Sequence, residues 1–408
     1  MTRNHTEQTY FYDRWRAVAN GVLETAATTF LLLIAVRWFS AGAFAKGLVA
    51  GGGSVGLLIS PLVVARVETL GWKTSTAAAR LAALGAICFL VMALVPLVPV
   101  FVVGSVLAMA ASSAAIPLMT QIYQENYPER ERGTRFSRAI MIRIAVSASF
   151  SKLAGDALSG RIDQFRWLLV VFAAAFLLAS FSLGRCPSRP LVASGGTHPL
   201  RAMRFVRSDR VFRQTLICWM LMGFANLMML PLRVEYLANP KYHLALSVSQ
   251  IAFFTGVIPN LARLVMSPIW GWLFDRMNFF VLRMTLNLGF AIGILSFFAS
   301  DSPTGMVLGA IVYGISNAGG DVAWGLWVTK FAPPERVADY MSVHTCFTGL
   351  RGVLAPLVAF PLAAHLSMPA LGVFSAVLIV AGTAFLVPEI KFGKRARPGA
   401  ALTEEVAE

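Results

Sequence analysis

The chain has 408 residues, 57% of them apolar and only 13% charged, against roughly 45–50% and 25% in an average soluble domain. So much apolar surface cannot all face water, which excludes an ordinary soluble globular fold. The formal charge of +15 would suit a nucleic-acid partner, but its placement along the chain excludes one, and the four cysteines are too scattered for a metal centre or a disulfide framework.

In chain order, apolar windows of about 19 residues predict twelve spans, near 16–37, 45–66, 76–97, 99–123, 138–159, 166–184, 213–232, 247–270, 281–300, 304–329, 340–363 and 368–387. Each approaches the ~20 residues a helix needs to cross a hydrocarbon core. The period-2 alternation of a membrane barrel is missing. The first span carries Glu24 and outruns the roughly 7–15-residue core of an export signal, so it is expected to stay as a membrane helix, although "SAGAFA" at 40–45 offers small residues for cleavage. With a cytoplasmic amino terminus, and span ends counted with the side they adjoin, 25 of the 35 Lys and Arg residues fall on the cytoplasmic side, 6 on the opposite side, and 4 (Arg143, Lys152, Arg263 and Arg351) in span interiors. This asymmetry predicts a multi-pass protein of the cell inner (plasma) membrane with both termini in the cytoplasm.

Two short patterns recur at offsets that agree to within one residue. Ser60-Pro61 and Ser267-Pro268 lie 207 residues apart, and Pro128-Glu129-Arg130 and Pro334-Glu335-Arg336 lie 206 apart. The shared offset predicts duplicated halves: a six-helix bundle over 1–184, a basic cytoplasmic linker over 185–212, a second six-helix bundle over 213–390 and a cytoplasmic tail over 391–408. The stretch "SPIWGWLFDRMN" (267–278) leaves the membrane through Gly271, Asp275 and Arg276, and "SPLVVARVETLGWK" (60–73) is a worn copy with Glu68, Gly71 and Lys73.

These stretches resemble the loop motif G-x-x-x-D-R-x-G-[RK]-[RK] of the major facilitator superfamily, found there after helices 2 and 8. The second copy departs from it at Asn278, Phe279 and Phe280, the first at Val64 and Thr69. The resemblance implies an all-α membrane protein of twelve transmembrane helices in two pseudo-symmetric six-helix bundles, monomeric, with no cofactor or metal. It also implies a conformational latch formed by Gly271, Asp275, Arg276, Glu68, Gly71 and Lys73. In such a fold helices 1, 4, 7 and 10 line the central cavity, helices 2, 5, 8 and 11 flank it, and the remaining four sit outside.

A charge at mid-bilayer costs about 2.5–3.5 kcal/mol on insertion scales, so those that persist face protein or a water-filled cavity. The candidates are Glu24, Arg143, Lys152, Asp156, Arg263, Asp321 and Arg351, with spans 3, 6, 9 and 12 expected to be free of interior charge. Glu24 is expected to pair with Arg143 or Lys152, and Asp321 with Arg351. A carboxylate whose cation is drawn towards substrate takes up a proton, which is a route to proton coupling. Asn317, Asp321 and Trp324 recur at spacings of four and three and share one helix face, suited to a small polar substrate or to packing among Gly314, Gly319, Gly320 and Gly325. His344 is expected to be hydrogen-bonded near a membrane boundary. No HExxH or P-loop occurs, so no enzymatic chemistry is expected. The expected function is secondary transport of a small polar or anionic organic solute by alternating access, coupled to protons. The alternative is a drug or amphiphile efflux antiporter of the same superfamily, whose usual Arg motif in helix 4 and Gly-Pro motif in helix 5 are missing from 106–116 and 149–160.

Overall fold

The computed structural model describes residues 3–190, 203–299, 301–330, 332 and 337–393. The second Pro-Glu-Arg loop, at 334–336, much of the linker and most of the tail lie outside them. The described chain is helical apart from one isolated bridge between Lys73 and Pro190. Twelve long helices follow one another. They are α1 (3–37), α2 (Ala43–Thr69), α3 (Thr74–Leu94), α4 (98–126), α5 (Glu129–Leu158), α6 (Phe165–Gly184), α7 (Arg210–Ala238), α8 (248–276), α9 (Phe279–Phe298), α10 (Pro303–Leu326), α11 (Val337–His365) and α12 (Met368–Ala384). Eleven are long and apolar enough to cross a membrane. The twelfth, α5, has the length, at 30 residues, but carries Arg135, Arg138, Arg143, Lys152 and Asp156 along it.

Three helices are interrupted. In α4 the ring and missing N–H of Pro117 break the ladder at Ala115. Both α1 and α8 contain a π-turn, at Ala26–Phe30 and Phe253–Val257, a form that recurs at functional sites. The two π-turns meet, with Thr29 Oγ1 and Thr255 Oγ1 3.0 Å apart.

Contacts between α1–α6 and α7–α12 run chiefly along α2 against α11 and α5 against α8. Gly51 lets the backbones of α2 and α11 touch: a Cβ there would stand 3.4 Å from the Gly352 carbonyl oxygen, the close approach that small residues permit in lipid. At mid-depth Asn260 Nδ2 donates to Ser147 Oγ at 3.0 Å. At the face away from the termini Lys46 Nζ meets Glu235 Oε1 at 2.7 Å, and the Arg37 guanidinium donates to the Ala238 and Leu246 carbonyls. At the face that bears the termini, no hydrogen bond or ion pair joins the two sets among the described residues. The described polar contacts between the two sets thus lie at mid-depth and on the far face.

Candidate functional site

Four charged side chains from four helices meet where the two helix sets touch at mid-depth. Arg263, on α8, is the centre: its Nε lies 2.6 Å from Asp321 Oδ2 on α10, and its Nη1 pairs with Glu24 Oε1 on α1. The other Glu24 oxygen lies 3.1 Å from Arg143 Nε on α5. The order Arg143, Glu24, Arg263, Asp321 alternates in sign, so each inner group has two opposite neighbours and the desolvation of Arg263, 5% exposed, is compensated. The side chains of Glu24, Asp321 and Arg143 keep 19%, 32% and 33% of their exposure. Mid-helix charges that are paired across the halves and still reach solvent border a cleft between them, not lipid.

The expected pairing of Glu24 with Arg143 is present. That of Asp321 with Arg351 is corrected: the partner of Asp321 is Arg263. Arg351 turns the other way, against Gly223 on α7, where its Nη1 donates to the Trp219 carbonyl. Asn317, Asp321 and Trp324 do share a face of α10 and are half-buried. Gly314 serves packing, because a Cβ there would run into the Pro259 carbonyl of α8. Lys152 pairs with Asp156 one turn on, and Asp156 also accepts from Ser249 Oγ at the start of α8.

A second cluster lies inside α7–α12, and it overturns two expectations. Span 9 is not free of interior charge: Arg283 lies one turn into α9 and is 1% exposed. Its guanidinium carbon sits 3.7 Å from the Trp219 ring centroid, and that of Arg351 sits 5.8 Å from the same centroid. His344, fully buried, is not hydrogen-bonded to any described group: three tryptophan rings, Trp219, Trp324 and Trp327, surround it at 5.1–5.6 Å. No Asp or Glu pairs with either arginine among the described residues.

The corresponding part of α1–α6 is built differently. Asp13, 1% exposed, accepts from Arg16 Nε and Nη2 at 2.9 and 2.7 Å, from the Tyr123 hydroxyl at 2.8 Å and from the Tyr127 hydroxyl at 3.3 Å. Burial, with this carboxylate beside it, pushes the Cys186 thiol up to about 12. Elsewhere, Arg233 stacks on Tyr313 at 3.9 Å beside a cavity of about 10 Å³, room for one water and not for an organic solute.

Among the described residues, no latch residue of one half is bonded to a latch residue of the other. A Cβ on Gly271 would meet nothing within 4 Å, and the Arg276 guanidinium lies over Trp272 at 4.4 Å; the Asp275 side chain is outside the described part of the chain. Gly71 acts locally. At φ +61° it closes α2, with its N–H on the Glu68 carbonyl at 3.0 Å and the Trp72 N–H on the Val67 carbonyl at 3.2 Å, a Schellman cap. Lys73 caps the start of α3 with extended backbone. Sequence reasoning missed the Lys46–Glu235 lock, whose partners are 189 residues apart; the acid near the end of an apolar span was its one local signal. No group of three or more His, Cys, Asp or Glu able to hold a metal occurs among the described residues.

The sequence profile of the Major Facilitator Superfamily matches residues 234–406. No curated protein matches the chain in sequence. Among solved structures, the fold is similar to that of the nucleoside transporter NupG, with a TM-score of 0.73, 14% identity, and coverage of 94% of this chain and 99% of that one. It is also similar to a bacterial homologue of the human lysosomal transporter Spinster, in an inward-facing and unoccupied conformation (TM-score 0.69, 16% identity, 98% and 100% covered). A D-xylose-proton symporter gives 0.65 and 17%, with 97% of this chain and 97% of that one covered. At these identities the structural likeness establishes the fold, twelve helices included. The profile match covers the carboxyl-terminal part of the chain, and the fold of nearly the whole chain is similar to that of these transporters.

Proposed function

We propose that the protein carries a small polar or anionic organic solute across a cell inner membrane by alternating access, coupled to proton movement through Glu24 and Asp321. The observation that supports this reading is the Arg263 guanidinium held by one carboxylate from each half, at the contact that alternation must break and remake. Protonation of either carboxylate frees valence on Arg263, and an anionic substrate group competes for that valence and for Arg143. Asn317 and Trp324, on the face of Asp321, supply an amide and an aromatic wall to the same cleft. The terminus-bearing face is taken as cytoplasmic because it carries the larger share of Lys and Arg. The functional units are the bundles 1–184 and 213–390, the working form is a monomer, and Glu68, Gly71, Lys73, Gly271, Asp275 and Arg276 draw together when the cytoplasmic side closes.

The test is external pH in lightly buffered proteoliposomes as organic acids, sugars, nucleosides and cationic dyes are added in turn. A solute-dependent pH change in the wild type, lost in Asp321→Asn with the fold intact, supports the reading and names the solute class. Solute flux without proton movement, equal in both proteins, contradicts coupling. A response to cationic dyes alone contradicts the solute class.

A further inference from the structure

We propose that the carboxyl-terminal half binds a compact monovalent anion, a halide or a single carboxylate group, between Arg283 of α9 and Arg351 of α11. The site is separate from the Arg263 network, and nothing in the transport reading requires it.

Two guanidiniums, 1% and 5% exposed, lie against one tryptophan ring with no acid paired to either among the described residues. Like charges buried together repel, and each also loses its hydration. The Trp219 ring face attracts a cation, but a ring face leaves the in-plane N–H groups of a guanidinium unanswered. Those groups are in deficit here. Arg283 donates to the Met222 sulfur at 3.4 Å, a weak acceptor, while its Nε and Nη1 have no partner among the described residues. Arg351 donates to the Trp219 carbonyl, while its Nε has none. Trp219 Nε1 and both nitrogens of His344 are likewise without a partner among the described residues. One small anion answers the surplus charge and the surplus donors together. The planar guanidinium fork suits a carboxylate, and a halide fits the same donors singly. The enclosing tryptophans and the packing of α7, α9 and α11 limit the occupant to a compact one.

The test uses the full chain in nanodiscs of uncharged lipid, exchanged into potassium gluconate, whose anion is too bulky for the site. Chloride, bromide and formate are then titrated at constant ionic strength while tryptophan fluorescence and Tm are followed. The expected result is a saturable rise in Tm with chloride or formate, and saturable quenching by bromide that chloride or formate displaces. Both responses should be lost in Arg283→Met and in Arg351→Met. A response to halides alone assigns a halide site; a response to formate alone assigns a site for a carboxylate as small as formate. Quenching that stays linear in bromide, with Tm no higher than in gluconate, overturns the proposal. So does a saturable response that survives in both variants. If neither variant folds, the wild-type displacement of bromide decides the matter alone.

Discussion

Asp13 and Trp219 are 206 residues apart, the offset of the sequence repeat, and each lies roughly three turns into the first helix of its half. Around Asp13 the amino-terminal half gathers one acid, one arginine and two tyrosine hydroxyls, and every donor has its acceptor. Around Trp219 the carboxyl-terminal half gathers two arginines and a histidine with no acid. Burial is deep in both places, although the Arg16 side chain keeps 15% of its exposure. What separates them is the sum of charge and the balance of donors, so the first is a self-contained clasp while the second needs a counter-ion from outside the chain.

The largest expected effect breaks the clasp. Asp13→Asn leaves Arg16 buried without its anion, a loss of about 3–5 kcal/mol for one partner of a buried pair, read as a lower Tm and a lower yield of monodisperse protein. The double change Arg283→Met with Arg351→Met, measured without added anion, should be neutral or stabilising by about 1–4 kcal/mol, since it replaces uncompensated charge with apolar volume. Equal destabilisation by both changes would end the distinction. Met222→Glu sharpens it: a carboxylate beside the Arg283 Nη2 supplies the missing charge from within the chain, and the response of Tm to chloride and formate should disappear.

A smaller effect concerns the far-face lock. Lys46→Gln leaves Glu235 buried without its cation, so the far face should open more often. Thr255→Cys, a conservative reporter at the α1–α8 contact, should then react faster with a membrane-impermeant maleimide, roughly tenfold for each 1.4 kcal/mol of shifted equilibrium. An unchanged rate would show that the lock does not hold that face. The smallest effect is expected from Lys152→Gln: its pair with Asp156 is about half exposed, and such pairs contribute about 0–1 kcal/mol, so Tm should barely move.

Much of the architecture is legible in the sequence because lipid imposes it: a helix must be long and apolar to span, and that is written in consecutive residues. The pairing of Glu24 with Arg143 is legible as well, since few charges compete at that depth. Helix phase is harder. Arg351 and Arg263 both lie in flanking helices, but α11 turns Arg351 into its own bundle while α8 turns Arg263 towards the other half. A hydropathy count carries no information about that rotation. Arg283 escaped notice because it stands one turn from a helix start, where a basic residue ordinarily reaches water. Gly71 matched a latch motif but is required by the left-handed cap of α2, a local demand that the motif comparison does not separate from a distant one.

The central claim is that Glu24 and Arg263 join the halves and that transport proceeds by releasing them. Spin labels at Phe136 and Trp272, exposed positions near the terminus-bearing face of opposite halves, test it in a background without native cysteines. The distance distribution would be compared at neutral and acidic pH, in the wild type and in Glu24→Gln. The account predicts a long distance in the wild type at neutral pH, a shorter population that grows on acidification, and in Glu24→Gln that shorter population already present at both pH values. One unchanged distance in both proteins at both pH values would contradict it.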